Sequence, residues 1–465
     1  MRIIHFDANG WRARFDDGFD EESVGRIACA LGLVWGGSHP GSTVLVGYDT
    51  RHNGKHFAEL VAAILAGQGL CAKVSSTTCP IPALGWSAAH NGACVGAVML
   101  SASESSCEYG GIQLRGADGG PVSSRFLAKV ERAIPTRVPR ARGSFAETDV
   151  VTAYEDALVS FVDADAIAAA GLRVVADPMY GGGVGVLARV LDRLGCDVVR
   201  LHDEAREDFA GLHPSATDPW ADECEQRLVE TGANLAIVLD GDGDRSAVVD
   251  ERGRLVSPHN LVPLVMRQLM GKGYTGRVVA TSSSSERLMR QADYLGCPRT
   301  RVPVGFERLY DELHDNDVLI ASEEYGGICV PQHLKERDGL LAGLLVVELL
   351  AREGGTLSRH VRAMTSELGH LSYIRKDVYM EPAQVESMRI ILPGLNPASI
   401  GGLEPQEISH ADGLRASFAD GSWVLVRPSR TLPVIRANAE ARDASAASAL
   451  LSGALSAALD ALANA

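Results

Sequence analysis

Leu235-Ala236-Ile237-Val238-Leu239-Asp240-Gly241-Asp242-Gly243-Asp244-Arg245 is the stretch whose reading decides the fold. Five consecutive apolar residues bounded by a glycine-rich turn read as a short strand buried on both faces, which is how strands of a parallel α/β sheet look. The strand runs straight into three carboxylates at alternate positions, separated by glycines, which can bend inward around one hard divalent cation such as Mg²⁺. Two other readings stand beside that one. A structural acidic turn is the first; the second is a calcium EF-hand loop, because Asp240, Asp242, Asp244 and Glu251 match its positions 1, 3, 5 and 12. The EF-hand reading is weakened by Arg245, which stands where that loop needs glycine, and by the strand, where a helix should precede.

Working outward, the same unit of strand, helix, strand, helix, strand and loop recurs three times. The first copy has strands at Val44–Tyr48, Cys71–Ser75 and Ala93–Leu100, helices at His56–Gly67 and Ala83–His90, and ends at Ser101-Ala102-Ser103. The second has strands at Leu172–Ala176, Cys196–Leu201 and Leu235–Leu239, helices at Gly185–Leu194 and Ala221–Thr231, and ends in the acidic loop. The third has strands at Val278–Ala280, Arg301–Val304 and Val318–Ile320, helices at Glu286–Leu295 and Glu307–Leu313, and ends at Ser322-Glu323-Glu324-Tyr325-Gly326-Gly327. From about Tyr373 the pattern changes to a polar, proline-punctuated segment, a strand at Ser422–Val426, the loop Arg427–Thr431 and an Ala-rich terminal helix. The expected fold class is therefore α/β: three similar, mixed, mostly parallel α/β/α domains plus a C-terminal α+β domain, around a central cleft onto which loops from the carboxyl ends of strands face.

Composition narrows the partners. A net charge of -15 over 465 residues works against sequence-independent nucleic-acid binding, which needs clustered Lys and Arg. Nine scattered cysteines without a CxxC pair read as free thiols of a reducing compartment and disfavour zinc. The start has no apolar core of signal-peptide length, and the longest apolar candidate, residues 340–351, is interrupted by Gly343 and Glu348 and falls short of a membrane span. The expectation is a cytoplasmic chain without a membrane partner.

The other loops carry chemistry of their own. Ser103, at the end of a buried-type strand, can serve as a nucleophile or phosphate carrier, although a serine-rich loop is commonly just a loop; no G-x-S-x-G elbow supports a serine-hydrolase reading. Arg427-Pro428-Ser429-Arg430-Thr431, with Arg436 beyond it, combines guanidinium groups, hydroxyls and backbone N–H groups suited to a phosphate dianion, or is a solvated basic turn. Glu323 and Glu324 are acceptor-only groups for sugar hydroxyls, or surface acids. Arg12, in Gly10-Trp11-Arg12, reads as a cleft arginine or a core anchor. His333 reads as a general acid or base, or as an exposed loop histidine.

Taken in order, these segments resemble the α-D-phosphohexomutase superfamily of phosphoglucomutases and phosphomannomutases over essentially the whole chain. The resemblance extends to Val46–Arg51, Pro80-Ile81-Pro82, Glu108-Tyr109, Asp118-Gly119-Gly120, Pro303–Phe306, Asp338-Gly339 and Asp412-Gly413. It implies four domains: residues 1–148 with a phosphoserine loop, 149–250 with the metal loop, 251–369 with a sugar loop and 370–465 with a phosphate loop. It further implies that Ser103 carries a phosphoryl group, and that Asp240, Asp242, Asp244 and a phospho-Ser103 oxygen hold Mg²⁺. Arg12 and Arg245 would neutralise charge; Glu323, Tyr325 and Gly326 would face the sugar; Arg427, Ser429, Thr431 and Arg436 would hold the non-reacting phosphate. The implied reaction interconverts hexose 1- and 6-phosphates of glucose or mannose through a bisphosphosugar, with glucose 1,6-bisphosphate or a relative as activator. The partner is a phosphosugar, and the chain a monomer or homodimer. Alternatives on the same scaffold are a phosphoglucosamine mutase, a bisphosphosugar synthase and a catalytically silent sugar-phosphate binder.

The chain departs from that family at telling places. The usual Thr/Ser-Ala-Ser-His-Asn-Pro has Glu104, Ser105 and Ser106 for its last three residues, and Gln113 stands at the usual lysine position. An anion and a neutral amide thus replace a cationic pair, which disfavours a phosphoserine next door. Tyr325 replaces the sugar-loop serine, Glu307 a lysine, and Arg430-Thr431-Leu432 the phosphate loop's Gly-Thr-Glu.

Overall fold

A computed structural model describes residues 4–7, 10–138, 141–429 and 432–464. Its chain divides into two compact units, unit 1 of residues 1–274, 313–320 and 325–361, and unit 2 of residues 275–312, 321–324 and 362–465.

Unit 1 holds two sheets. The first comprises β1 (Trp11–Arg14), β2 (Thr43–Tyr48), β3 (Cys71–Ser75), β4 (Cys94–Leu100), β5 (Tyr109–Gly116) and β6 (Ala146–Thr148) in the order β1-β5-β4-β2-β3-β6. Its central strands are parallel, and β5 runs antiparallel to β4 and β1. β2 is buried at all six positions, as a strand covered on both faces must be. The second sheet comprises β7 (Arg173–Asp177), β8 (Asp197–Arg200), β9 (Leu235–Leu239), β10 (Ser246–Asp250) and β11 (Arg254–Val256) in the order β11-β10-β9-β7-β8. β7 lies parallel to β8 and β9, while β10 returns antiparallel to β9 with Ser246 opposite Leu239. The acidic loop is therefore the connection of a hairpin, and no helix enters it as an EF-hand would require.

The strands of the third domain fall on both sides of the division. β12 (Arg277–Thr281) and β13 (Arg299–Val302) pair in parallel in unit 2, β14 (Val318–Ser322) runs across the division, and β15 (Ile328–Cys329) lies in unit 1. Unit 2 also contains an antiparallel sheet of β16 (Ser372–Tyr379), β17 (Glu407–Ser409), β18 (Leu414–Ser417), β19 (Trp423–Pro428) and β20 (Val434–Ala441) in the order β16-β20-β19-β18-β17. The eight-residue β16 is a correction: residues 372–379 read in the sequence as a polar segment because most of them are only half-buried, so charged side chains mask the strand period.

A second correction concerns apolar helices. Among the described residues, helix Ala444–Ala463 is the one long and apolar enough to cross a membrane, rather than residues 340–351. Its Ala447, Leu450, Leu451, Ala454, Leu455 and Ala458 recur at helical spacing and are buried in the core of the C-terminal domain, which accounts for its apolarity. Helix Gly339–Glu353 starts at Asp338, whose carboxylate accepts from the N–H of Leu341 at 2.9 Å, and is buried over most of its length.

Candidate active site

The loop after β4 turns sharply at Ser103, whose φ of 51° lies in the left-handed region that few residues other than glycine adopt. Arg51 holds this geometry in place. Its fork donates to the carbonyls of Ser103 (2.6 Å), Ser105 (2.7 Å), Ser106 (2.7 Å) and Tyr109 (3.2 Å). The same guanidinium pairs with the fully buried Asp49 at 3.0 Å, and Asp49 accepts from Ser101 Oγ at 2.6 Å. Ser101 Oγ in turn accepts from the N–H of Ser103 at 3.0 Å, so one buried network fixes the serine from below.

Ser103 itself is only 3% exposed and faces the acidic loop. Its Oγ donates to Asp240 Oδ2 at 3.1 Å and accepts from Arg245 Nη2 at 2.7 Å. The approach depends on Gly241, since a Cβ there would lie 2.3 Å from the Ser103 carbonyl oxygen.

Asp240, Asp242 and Asp244 are buried, and each offers an oxygen within 4.8 Å of the others. Burial pushes Asp240 well above the usual carboxylate range despite Arg245, and pushes Asp242 up with help from Asp244. Burial also works against the charge on Asp244, but Arg337, Arg245 and Arg115 outweigh it and hold its carboxyl below the ordinary value. Three desolvated carboxylates this close repel one another and call for a compensating cation. Asp242 Oδ1 is buried with no hydrogen-bond partner, which is what an oxygen reserved for a metal ion leaves behind. The donor set, all hard oxygen, fits Mg²⁺.

Two arginines and one side-chain amide brace the loop. Arg245 contacts Asp240 at 2.9 Å and Asp244 at 3.3 Å, and also Glu104 at 2.7 Å. Arg337 Nη2 meets Asp244 Oδ2 at 2.5 Å, and Gln113 Nε2 donates to Asp242 Oδ2 at 2.5 Å. Glu104 is thus not a free anion beside the serine: Arg245 neutralises it and holds its carboxyl below the ordinary value. Arg12 projects from β1, and its Nε is buried without a hydrogen-bond partner, a donor ready for an anion. The start of helix Gly339–Glu353 abuts the loop: the N–H of Gly339 donates to the Gly243 carbonyl at 3.1 Å, and a Cβ on Gly339 would meet the Arg245 carbonyl at 2.6 Å.

Other expected site residues are placed less simply. His333 contacts Asp338 at 3.2 Å and the rings of Tyr154 and Phe161, so its partners are the helix cap and two aromatics; among the described residues neither Ser103 nor the carboxylate triad is a partner. Glu251, the possible twelfth EF-hand ligand, accepts from Ser358 instead. Gly326 lies against the β10 backbone, where a Cβ would sit 2.5 Å from the Ser246 carbonyl, and Tyr325 is 37% exposed.

In unit 2, Glu324 is buried and accepts from Asn438 Nδ2 at 3.1 Å, which leaves Glu323, half-buried, as the acid nearer solvent. Arg427 is 6% exposed with Nε unpartnered, and burial lowers its pKa against the pull of Asp412. Arg436 forms a bidentate pair with Asp377 at 2.9 and 2.8 Å. Ser429 Oγ accepts from the N–H of Leu432 at 3.2 Å. Thr431 and Arg430 lie outside the described residues.

Sequence reasoning passed over the supporting residues Asp49, Arg51, Arg115 and Glu336. Asp49 and Arg51 stand in a segment that carried the resemblance, yet nothing in their spacing shows that their partner is the Ser103 loop. Arg115 and Glu336 gave no signal, because their meeting requires β5 and a turn some 220 residues later to be brought together.

Comparison with known proteins shows what family the chain resembles over nearly its whole length. Four phosphoglucomutase/phosphomannomutase family models match in order: alpha/beta/alpha domain I at residues 4–140, domain II at 152–253, domain III at 257–368 and the C-terminal domain at 381–453. The chain is 28% identical over 446 residues to a probable phosphoglucosamine mutase of Methanosphaera stadtmanae, covering 94% of each. It is 28% identical over 433 residues to a phosphoglucomutase/phosphomannomutase of Thermococcus kodakarensis, covering 91% of this chain and 92% of that one. The crystal structure of a putative phosphomannomutase from Thermus thermophilus superimposes with a TM-score of 0.87 at 28% identity, over 98% of this chain and 99% of that one. The chain belongs to the phosphoglucomutase/phosphomannomutase family, whose members are isomerases that move a phosphoryl group within a sugar, and its four-domain α/β architecture is that of the family.

Proposed function

We propose that this family member interconverts hexose 1-phosphate and hexose 6-phosphate, of glucose or mannose, through phospho-Ser103 and a bisphosphosugar intermediate. The observation that carries the reading is the position of Ser103 Oγ, held between Arg245 and Asp240 at the edge of the buried carboxylate triad. Phosphoryl transfer is mostly positioning and charge neutralisation. In the first half-reaction the bond from Ser103 Oγ to phosphorus breaks as one forms to the free sugar hydroxyl, whose proton ends on Ser103 Oγ. Re-phosphorylation of Ser103 by the other phosphate of the bisphosphosugar reverses these steps and releases the isomer.

Asp240, Asp242, Asp244 and a phosphoserine oxygen would hold Mg²⁺, which supplies charge neutralisation on the transferring group. Arg245 already donates to Ser103 Oγ and stabilises charge that develops there as the phosphoryl group leaves. Arg12, with its unpartnered Nε, binds a phosphoryl oxygen. In unit 2, Arg427, Ser429, Thr431 and Arg436 bind the phosphate that does not react. Arg436 exchanges its Asp377 partner for phosphate or shares the two, since a guanidinium fork offers five donors. Glu323, Tyr325 and Gly326 contact the sugar. His333, buried beside Asp338 and the rings of Tyr154 and Phe161 rather than beside Ser103, takes no part in proton transfer in this reading. A bisphosphosugar such as glucose 1,6-bisphosphate primes Ser103, and the free thiols support a reducing, cytoplasmic setting.

Phosphoglucosamine is the second substrate candidate, because relatives covering nearly the whole chain carry that name. ³¹P NMR of the protein with Mg²⁺ and a trace of glucose 1,6-bisphosphate tests both, with glucose, mannose and glucosamine 1-phosphates offered in turn. A 6-phosphate resonance supports the mutase and ranks the sugars. Thermal stabilisation by every sugar phosphate without conversion of any would instead identify a binding protein.

A further inference from the structure

We infer that Glu336 is a positioning residue for the acidic loop, setting two of its three carboxylates through two arginine-led arms. The inference rests on the metal-site reading above.

Glu336 is fully buried in the turn that precedes helix Gly339–Glu353. Burial pushes its carboxyl above the ordinary value, although Arg115 and Arg337 pull it back in part. Its Oε2 is in ion-pair contact with Arg115 Nε, with no hydrogen bond between the two atoms. Its Oε1 accepts from the N–H of Arg337 at 2.8 Å and lies 3.3 Å from Arg337 Nε. Each guanidinium then reaches onward. Arg337 Nη2 meets Asp244 Oδ2 at 2.5 Å. Arg115 Nη2 donates to Gln113 Oε1 at 3.4 Å, which turns the Gln113 amide so that its Nε2 donates to Asp242 Oδ2 at 2.5 Å.

Each arm holds one oxygen of its carboxylate, and Asp242 Oδ1 keeps no hydrogen-bond partner. Outer groups that orient ligands in this way are worth about 10–100-fold in metal affinity when removed. Charge points the same way. Arg115, Arg245 and Arg337 form ion pairs with Asp240, Asp244, Glu104 and Glu336, and with Asp242 added three positive charges face five carboxylates. The deficit of two is the charge of one divalent ion. Removing Glu336's charge halves that deficit and frees Arg337 to compete for Asp244.

The test is Mn²⁺ binding, followed by electron paramagnetic resonance, to the full-length parent, Glu336→Gln, Glu336→Asp and Glu348→Gln. Glu348 is a control: it is equally buried, on the helix that follows Glu336, but pairs with Lys272 at 2.5 Å. The expected result is about a 10–100-fold loss of Mn²⁺ affinity in Glu336→Gln, an intermediate loss in Glu336→Asp, and parental affinity in Glu348→Gln even if its melting temperature falls. Parental affinity in folded Glu336→Gln overturns the inference while leaving the metal site standing, as does an equal loss in Glu348→Gln. A parent that binds no Mn²⁺ overturns both.

Discussion

Replacing Arg51 should disable the Ser103 loop and destabilise unit 1 together, by amounts that can be worked out. Arg51 is 3% exposed and Asp49 1% exposed, so Arg51→Met leaves a buried carboxylate without its counter-ion. Breaking such a pair from one side costs about 3–5 kcal/mol, a large share of the roughly 5–15 kcal/mol that holds a domain folded. At about 2–4 °C per kcal/mol the melting temperature should fall by roughly 10 °C. Four carbonyls from Ser103 to Tyr109 lose their shared donor as well, so the strained φ of Ser103 is no longer enforced and phosphorylation of Ser103 should drop.

Arg51→Lys separates charge from shape. It keeps a cation for Asp49 but cannot fork to four carbonyls. It should recover most of the stability and little of the phosphorylation. Asp49→Asn combined with Arg51→Met should be more stable than Arg51→Met alone, since the orphaned charge is gone. Melting curves and intact-mass measurement of the phosphoprotein after exposure to a bisphosphosugar report both quantities. An Arg51→Met protein that melts within about 2 °C of the parent, or that phosphorylates normally, would refute the reasoning.

Further expectations concern other parts of the chain. Ser103→Ala should abolish turnover and phosphoryl incorporation with the circular dichroism spectrum unchanged. Gly339→Ala, whose Cβ would lie 2.6 Å from the Arg245 carbonyl and 2.9 Å from that of Gly243, should cost about 1–3 kcal/mol in urea titrations, because backbone atoms cannot yield. Saturating Mg²⁺ at about 100 times its dissociation constant should stabilise the parent by about 2.7 kcal/mol, an effect that chelation or Asp242→Asn removes. Burial works against the charge on Asp377, but the forks of Arg436 and Arg375 outweigh it and hold its carboxyl below the ordinary range. That stabilisation is complete above the unfolded value of about 3.9 and is lost as pH falls through the lower folded value. Asp377→Asn should therefore be less stable than the parent at pH 7, and the difference should shrink as urea titrations are taken into strong acid.

The architecture was legible in the sequence because parallel α/β units write themselves locally. The expected strand at residues 235–239 is β9 to the residue, and the helices expected at 185–194 and 221–231 are Val186–Arg193 and Asp222–Thr231, since buried runs and turn glycines depend only on near neighbours. Alternation of Asp and Gly at 240–244 likewise announced a carboxylate cluster. β16 escaped because its half-buried charged side chains hide the period.

What the sequence could not contain is which distant groups stand around those carboxylates. Glu104 reads as a repulsive anion beside Ser103, and only folding brings Arg245, 141 residues away, to 2.7 Å from it and removes that repulsion. His333 reads as a candidate acid or base or as an exposed loop histidine, and only the tertiary structure buries it beside Asp338 and two rings. Residue type fixes what a side chain can donate or accept, but in a buried site the charge it carries and the partner it keeps depend on distances of a few ångströms in a low-dielectric interior. Those distances are set by the packing of whole strands and helices, which only the tertiary structure decides.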